Sequence, residues 1–259
     1  MHLTIDAGNT NHVFAIYTAG ADSHTDPVAL WRYKTDVSRT GDEVAAWFLP
    51  LCAHAGIAPS DITRVSVSSV VPGCNRAITQ FCEGVIGLSP LFVTHETISL
   101  SIALEKPAQV GADLLANALA VCKLYRAPAI IIDFGTATTF TALHDDCVYR
   151  GGVIAPGINL SLQALQDAAA KLPKIDLAIP DTVIGADTVS AMQSGLYYGY
   201  IGMIEGLVTR ITAEMGCDPF VIATGGLAGW FEQATDCIHQ SDPHLTLKGI
   251  RLVGEAKTT

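Results

Sequence analysis

The sequence predicts an α/β protein built from two similar lobes, and three observations carry that prediction. A short strand ending in Asp runs into a glycine turn close to the start, Ile5-Asp6-Ala7-Gly8-Asn9-Thr10. The pattern restarts 127 residues later at Ile132-Asp133-Phe134-Gly135-Thr136-Ala137, which signals duplication of a whole unit rather than a short solenoid period. Around both turns, short β-branched runs alternate with stretches of helical periodicity, the pattern of sheets covered by helices.

The elements follow in order. Residues 2–6 and 12–17 read as strands joined by the turn Ala7-Gly8-Asn9-Thr10-Asn11, rich in residue types that tolerate tight turns. Thr40-Gly41-Asp42-Glu43 offers caps to a helix whose apolar face is Val44, Ala45, Trp47, Phe48 and Leu51. Val65–Val71 reads as a buried strand ended by Pro72-Gly73, and Ala112–Tyr125 as an Ala- and Leu-rich helix. Ala129–Asp133 then repeats the first strand, with Thr138–Leu143 and Gly151–Ile154 as its neighbours. A helix is expected over Leu160–Ala170, a loop over 174–184, and two helices within Thr188–Met215, broken around Gly199 to Gly202. The strand Phe220–Ala223 and the turn Thr224-Gly225-Gly226 close the pattern. The lobes are placed at 1–110 and 111–259, with helix 112–125 near the junction.

Composition narrows the function. The chain has 259 residues, 49% hydrophobic and 15% charged, enough apolar material for substantial cores. Its net charge of −10, with 15 scattered Lys and Arg, disfavours a nucleic-acid or anionic-membrane surface. No apolar run is long enough to span a membrane, and Met-His-Leu-Thr-Ile-Asp is not a leader pattern, so a cytoplasmic protein is expected. Seven Cys stand singly with no paired spacing or His partner for zinc, and read as reduced structural thiols.

An acidic protein that holds a polyphosphate must use local donors. A strand-end Asp followed by a glycine turn bearing Asn or Thr presents N–H groups and hydroxyls to an anion, while its carboxylate can hold a cation. A lone turn of this kind is ordinary hairpin chemistry; two of them, with Thr224-Gly225-Gly226 after a third strand, favour nucleotide binding. Asp113 has two readings: the N-cap of helix 112–125, or a carboxylate, with Asn117 one turn on, that accepts the proton of an attacking hydroxyl. His12, His54, His95 and His144 have no catalytic spacing.

Together these motifs resemble the type III pantothenate kinases, within the superfamily of acetate and sugar kinases, heat-shock ATPases and actin. The resemblance rests on Asp6–Thr10, Ser69-Val-Val-Pro72, Gly111-Ala-Asp113, Asp133–Phe140, Gly151–Gly157, Lys171-Leu-Pro173, Gly185–Gly195 and Thr224-Gly-Gly226, in that order along nearly the whole chain. It implies duplicated ribonuclease H-like, actin-like ATPase lobes, each a mixed sheet with helices, with an ATP cleft between them. The implied reaction is phosphorylation of pantothenate to 4'-phosphopantothenate, the first step of coenzyme A biosynthesis.

By the same resemblance, ATP is bound by Asp6, Ala7, Gly8, Asn9, Thr10, Asn11, His12, Val13 and Thr136, with Mg²⁺ reaching Asp6 through ATP. Asp133 is the implied site for K⁺ or NH₄⁺. Pantothenate is implied at Gly111, Ala112, Asp113, Leu114 and Thr188, with Asp113 the general base, and a homodimer is implied. Leu114 stands where the family has Arg, a donor fork for an anionic substrate. Thr141 and Ala186-Asp187 also depart from the frequent residues. Two other readings therefore stay open here: a nucleotide-binding homologue with weak or no pantothenate kinase activity, and a kinase of a different small hydroxylated substrate. Were another donor to replace the lost charge, Lys106 and Arg126 are the candidates.

Overall fold

A computed structural model gives the fold and describes residues 1–168 and 172–256. The chain divides into two compact units: Met1–Arg126 with the stretch from His244 onward, and Ala127–Pro243. This differs from the expected boundary at 110/111, because helix 112–125 and the C-terminal segment both group with the first unit.

In the first unit β1 (His2–Ala7) and β2 (Asn11–Tyr17) form an antiparallel hairpin, and β3 (Ala29–Lys34) continues the meander. Helix α1 (Gly41–His54) leads to β4 (Arg64–Ser69), parallel to β1; α2 (Pro72–Phe81) leads to β5 (Leu91–Phe92), parallel to β4. The strand order is β3-β2-β1-β4-β5. A short strand β6 (Ser101–Ile102) precedes α3 (Ala112–Leu124).

The second unit repeats this plan. Strands β7 (Ala129–Phe134), β8 (Ala137–Leu143) and β9 (Val148–Pro156) form an antiparallel meander. Helices α4 (Ile158–Ala168) and α5 (Thr188–Met215) lead to β10 (Phe220–Gly225), parallel to β7. Helix α6 (Ala228–Glu232) leads to β11 (Gln240–Ser241), parallel to β10, and these strands run in the order β11-β10-β7-β8-β9. The last helix, α7 (Leu245–Ala256), belongs to the first unit. Strands β1 and β7 have the same length and lie 127 residues apart. The duplication read from two glycine turns is thus a duplication of the sheet and its connections.

The period of two along a strand sorts the first sheet into two buried faces. Leu3, Ile5, Phe14 and Ile16 pack with Phe48, Ile78 and Phe81 of α1 and α2. Ala15 and Tyr17 pack with Leu115, Ala116 and Leu119 of α3 and with Leu247, Ile250 and Val253 of α7. In the second unit Ile130, Ile132 and Phe134 join Tyr200, Ile204 and Val208 of α5 and Phe231 of α6.

Helix α1 starts where its signature says. Thr40 accepts the Glu43 N–H at 3.3 Å, and the Glu43 carboxylate accepts the Thr40 N–H at 2.8 Å, a reciprocal capping box. Thr40→Ala is expected to lower the melting temperature by about 2–4 °C, read by circular dichroism, without changing activity.

Several expectations need correction. Pro72 does not merely end a strand; it opens α2, where its fixed φ and missing N–H suit the first helical turn. The break expected around Gly199 to Gly202 is absent, and α5 is one helix of 28 residues. Its N-terminus is capped by Asp187 with Ser190, and Tyr197, Tyr200, Ile204 and Val208 form a buried stripe whose packing outweighs the cost of about 1 kcal/mol per interior glycine. Helix α4 covers most of Leu160–Ala170; Ala169, Ala170 and Lys171 lie outside the described residues. Residues 174–184 hold no helix or strand, as expected. Cys52, Cys74, Cys82, Cys217 and Cys237 are free thiols, whereas Cys122 and Cys147 are disulfide-bonded, which corrects the expectation of reduced thiols at those two positions.

Candidate active site

The first glycine turn, Gly8-Asn9-Thr10, joins β1 to β2 at the C-terminal end of β1. Two of its carbonyls, those of Gly8 and Thr10, are engaged by Thr35. Thr35 donates its side-chain hydroxyl to the Gly8 oxygen at 2.6 Å and its N–H to the Thr10 oxygen at 3.0 Å. The Gly8 N–H donates to the Asn11 oxygen at 3.1 Å, closing the turn. Asn9, Thr10 and Asn11 are exposed, Asp6, Gly8 and Val13 half-buried, and Ala7 buried. The Gly8 and Thr10 oxygens are thereby held away from an approaching anion, the polarity a phosphate site needs. His12, the next residue, is only 2% exposed and its Nδ1 pairs with the Tyr33 hydroxyl at 2.9 Å. Burial, helped by the Arg39 guanidinium, pushes its pKa down to about 4. His12 is therefore neutral near pH 7, with its Nδ1 held by Tyr33.

The Asp113 carboxylate stands at the same end of the first sheet. Val70, just past β4, donates its N–H to the Ala7 oxygen at 3.1 Å. A Cβ at Gly111 would lie 3.6 Å from Cγ1 of Val70 and 2.5 Å from Oδ1 of Asp113. Glycine at 111 thus lets the carboxylate fold over the first turn of α3 where a Cβ would press on it. There it accepts the Leu114 N–H at 2.8 Å. The expected N-cap role falls away: Gly111 is the N-cap, no side chain caps the helix, and Asp113 lies inside the first turn. Burial pushes the Asp113 pKa above the usual carboxylate value, opposed by the Leu114 and Asp113 backbone N–H groups. By the strand period, Asp6 leaves β1 on the same side as Thr4, opposite to Leu3 and Ile5 and so toward the face covered by α3. The fold brings the Asp6–Asn11 turn and Gly111–Leu114 to one end of one sheet.

Ala112 is buried and Leu114 half-buried. Of the donors considered for the family arginine, Lys106 lies just ahead of Gly111, whereas Arg126 lies beyond the other end of the 13-residue helix, about 20 Å away at 1.5 Å per residue. Arg126 of the same chain is therefore excluded.

The second turn, Gly135-Thr136, is one residue shorter than the first. Gly135 donates its N–H to the Ala137 oxygen at 3.1 Å, and Gly157 donates to the Thr136 oxygen at 3.2 Å. Thr136 is exposed and Asp133 half-buried. Gly225 has φ +88°, and a Cβ there would stand 2.6 Å from the Phe134 oxygen and 2.9 Å from Oδ1 of Asp133. Glycine at 225 thus lets the end of β10 lie close against the Asp133 carboxylate. Thr188 is the exposed first residue of α5, beside the cap Asp187.

Sequence reasoning missed Thr35, whose partners Gly8 and Thr10 lie some 25 residues away, and it singled out Gly157 and Gly225 only as parts of motifs. A signal for Thr35 was available: it follows Trp31-Arg32-Tyr33-Lys34, where aromatic and charged residues alternate as on a strand.

The chain is similar to known proteins along nearly its whole length. The family model for type III pantothenate kinase matches residues 2–210. A type III pantothenate kinase of Paramagnetospirillum magneticum is 47% identical over 261 residues, covering 100% of this chain and 98% of that protein. One from Rhodospirillum rubrum is 46% identical over 255 residues, covering 98% and 97%; one from Geobacillus kaustophilus is 43% identical over 259 residues, covering 100% and 98%. Among solved structures, a candidate 2-dehydro-3-deoxygalactonokinase of Sinorhizobium meliloti superposes with a TM-score of 0.62 at 12% identity, covering 100% and 97%. The inorganic polyphosphate/ATP-glucomannokinase of Arthrobacter sp. strain KM gives 0.52 at 14%, covering 96% of each. At such identities the likeness is one of fold, the actin-like ATPase fold of sugar kinases.

Proposed function

The chain belongs to the type III pantothenate kinase family, and from that premise we propose that Asp113 is the general base of a reaction whose phosphate donor is held by the Asp6–Asn11 turn. The enzyme transfers the γ-phosphoryl group of ATP to the primary hydroxyl of pantothenate. The hydroxyl oxygen forms a bond to phosphorus, the bond from phosphorus to the β,γ-bridging oxygen breaks, and Asp113 takes the hydroxyl proton. One observation carries the assignment: a carboxylate kept in a burying environment, its pKa raised, at the sheet end where the glycine turn lies. A base with a raised pKa holds a transferred proton better than an ordinary carboxylate does.

The remaining roles follow. Backbone N–H groups of Asn9–Asn11 and the hydroxyls of Thr10 and Thr136 would hold ATP phosphates. A divalent ion, Mg²⁺, supplies charge neutralisation at the phosphates when bound. Among the described residues no group of three His, Cys, Asp or Glu side chains could hold a metal; in this reading Mg²⁺ comes with the nucleotide and Asp6 is its protein contact. Asp133, near the C-terminal end of β7 beside the second turn, would hold a monovalent cation, K⁺ or NH₄⁺. Thr188, Gly111, Ala112 and Leu114 would contact pantothenate in a homodimeric enzyme of the cytoplasm. Among the described residues no helix is long and apolar enough to cross a membrane.

The two readings left open by Leu114 are not favoured, since relatives above 40% identity span the whole chain. ATP consumption by the purified protein, with and without pantothenate and in K⁺, NH₄⁺ or Na⁺, tests the proposal. Pantothenate-dependent turnover, faster in K⁺ or NH₄⁺ than in Na⁺, is expected. Leu114→Arg should lower KM for pantothenate on the order of 10-fold by adding a charged donor. Turnover that appears only in Leu114→Arg would overturn the assignment of activity to the natural chain.

A further inference from the structure

The internal duplication pairs residues that no sequence motif pairs. Thr35 is the first residue after β3, and Gly157 the first after β9. Strands β3 and β9 hold the same place in their meanders, each the third strand of the meander that carries a glycine turn. Each of these residues donates its N–H to the carbonyl of the last residue of the turn: Thr35 to Thr10 at 3.0 Å, Gly157 to Thr136 at 3.2 Å. The two turns differ in length and in most of their residues, yet the bond recurs.

We infer that Thr35 and Gly157 are matched positioning residues that clamp the two phosphate turns from the third strand of each sheet, turning the turn carbonyls inward so that N–H groups face the ligand. The inference rests on the nucleotide role proposed for these turns. An unpinned carbonyl in either turn could rotate outward and set its negative end against a phosphate oxygen, which would weaken anion binding directly.

The two clamps differ in a way the local space explains. Thr35 adds a second bond, from its hydroxyl to the Gly8 oxygen at 2.6 Å, and so fixes both ends of the longer turn. Gly157 can add none, because a Cβ there would collide with the Thr136 oxygen and stand 2.7 Å from the Gly135 oxygen. In the shorter turn the third strand approaches so closely that the backbone alone fits. Neither residue touches the reacting atoms in this assignment. Both act through the turn they hold.

The test is Thr35→Val, which keeps shape and removes the hydroxyl, with Thr35→Ser as the conservative control, both in the full-length protein. KM for ATP and the affinity for Mg²⁺ with a non-hydrolysable ATP analogue should each weaken on the order of 10-fold in Thr35→Val, as expected for one lost hydrogen bond with a carbonyl left unpaired. KM for pantothenate should stay within about twofold, and Thr35→Ser should restore nucleotide binding. A general loosening of the fold would instead weaken both substrates together, and that result would overturn the clamp. So would unchanged nucleotide affinity in Thr35→Val. Gly157→Ala probes the second unit by the same readouts, with weakened ATP binding expected; if it does not fold, Thr35 decides alone. The outcomes separate this inference from the reading beneath it: an unaltered protein that binds no Mg²⁺-nucleotide sinks both, whereas normal binding that Thr35→Val leaves intact sinks only the clamp.

Discussion

Asp113→Asn should lower kcat by about 10²–10⁴-fold, the usual worth of a positioned general base, and leave the melting temperature unchanged or slightly raised at pH 7. The sign follows from burial. Burial raises the folded pKa of Asp113, so the folded state favours its protonated form. Its contribution to stability is present below the ordinary carboxylate pKa and is lost as pH rises through the folded value. Above the folded pKa the ionised carboxylate is a net cost to the fold, and removing its charge relieves that cost. A group kept at the expense of stability is what a catalytic role requires. The unaltered enzyme should also show an acid limb in kcat/KM, activity rising as pH passes the raised Asp113 pKa, and the variant should lack it. Steady-state rates across pH and a thermal melt check both parts. A melting point lowered by many degrees would assign Asp113 to the architecture of α3 instead.

What the sequence disclosed about this site was local. The Asp–Gly turns, the Thr40–Glu43 capping box and the helix after Gly111 each depend on residues within one turn of each other, so their residue types declare them. Even there, one inference failed for an instructive reason. Asp is a preferred N-cap, and Asp113 stands at a helix start, but the small Gly111 lets the carboxylate bend back over the first turn and moves the cap two residues earlier. Elements stabilised from afar stayed hidden. Strand β3 is an edge with Arg32 and Lys34 exposed, and its Thr35 bonds a turn two strands away. Helix α5 was read as broken because glycine propensity is visible in sequence, whereas the packing of Tyr200, Ile204 and Val208 that overrides it is not.

Helix α7 was hidden for the same reason, and its packing yields the largest stability effect expected here. Its sequence, Leu-Thr-Leu-Lys-Gly-Ile-Arg-Leu-Val-Gly-Glu-Ala, carries two interior glycines and buried Lys248 and Arg251, poor advertisements for a core helix. Each oddity has a partner. Arg251 reaches the Glu255 carboxylate at 2.7 Å and the Asp22 carbonyl at 3.1 Å, and Lys248 lies 3.5 Å from Asp26. Gly254 lets the helix settle on His2 of β1 and Ser66 of β4, where a Cβ would run into both side chains.

Gly249 does the same against α3: a Cβ would collide with the carbonyl of Ala116 and stand 3.0 Å from its Cα. All of those atoms are backbone, so no rotamer change relieves the clash; one helix must move. Gly249→Ala should therefore destabilise the protein by about 3 kcal/mol, the upper range for overpacking, despite the better helix propensity of alanine. That corresponds to a fall in melting temperature of roughly 6–12 °C. Ala116 lies three residues from Asp113 on the same helix, so the displacement carries to the proposed base. At 25 °C, where the variant remains folded, kcat should drop on the order of 10-fold while affinity for the ATP analogue changes little, because the Asp6–Asn11 turn is held from β3 rather than from α3. A Gly249→Ala protein that melts within 2 °C of the unaltered one would mean that α7 and α3 can separate freely, and the placement of Asp113 would then have to come from the packing of α3 on the first sheet.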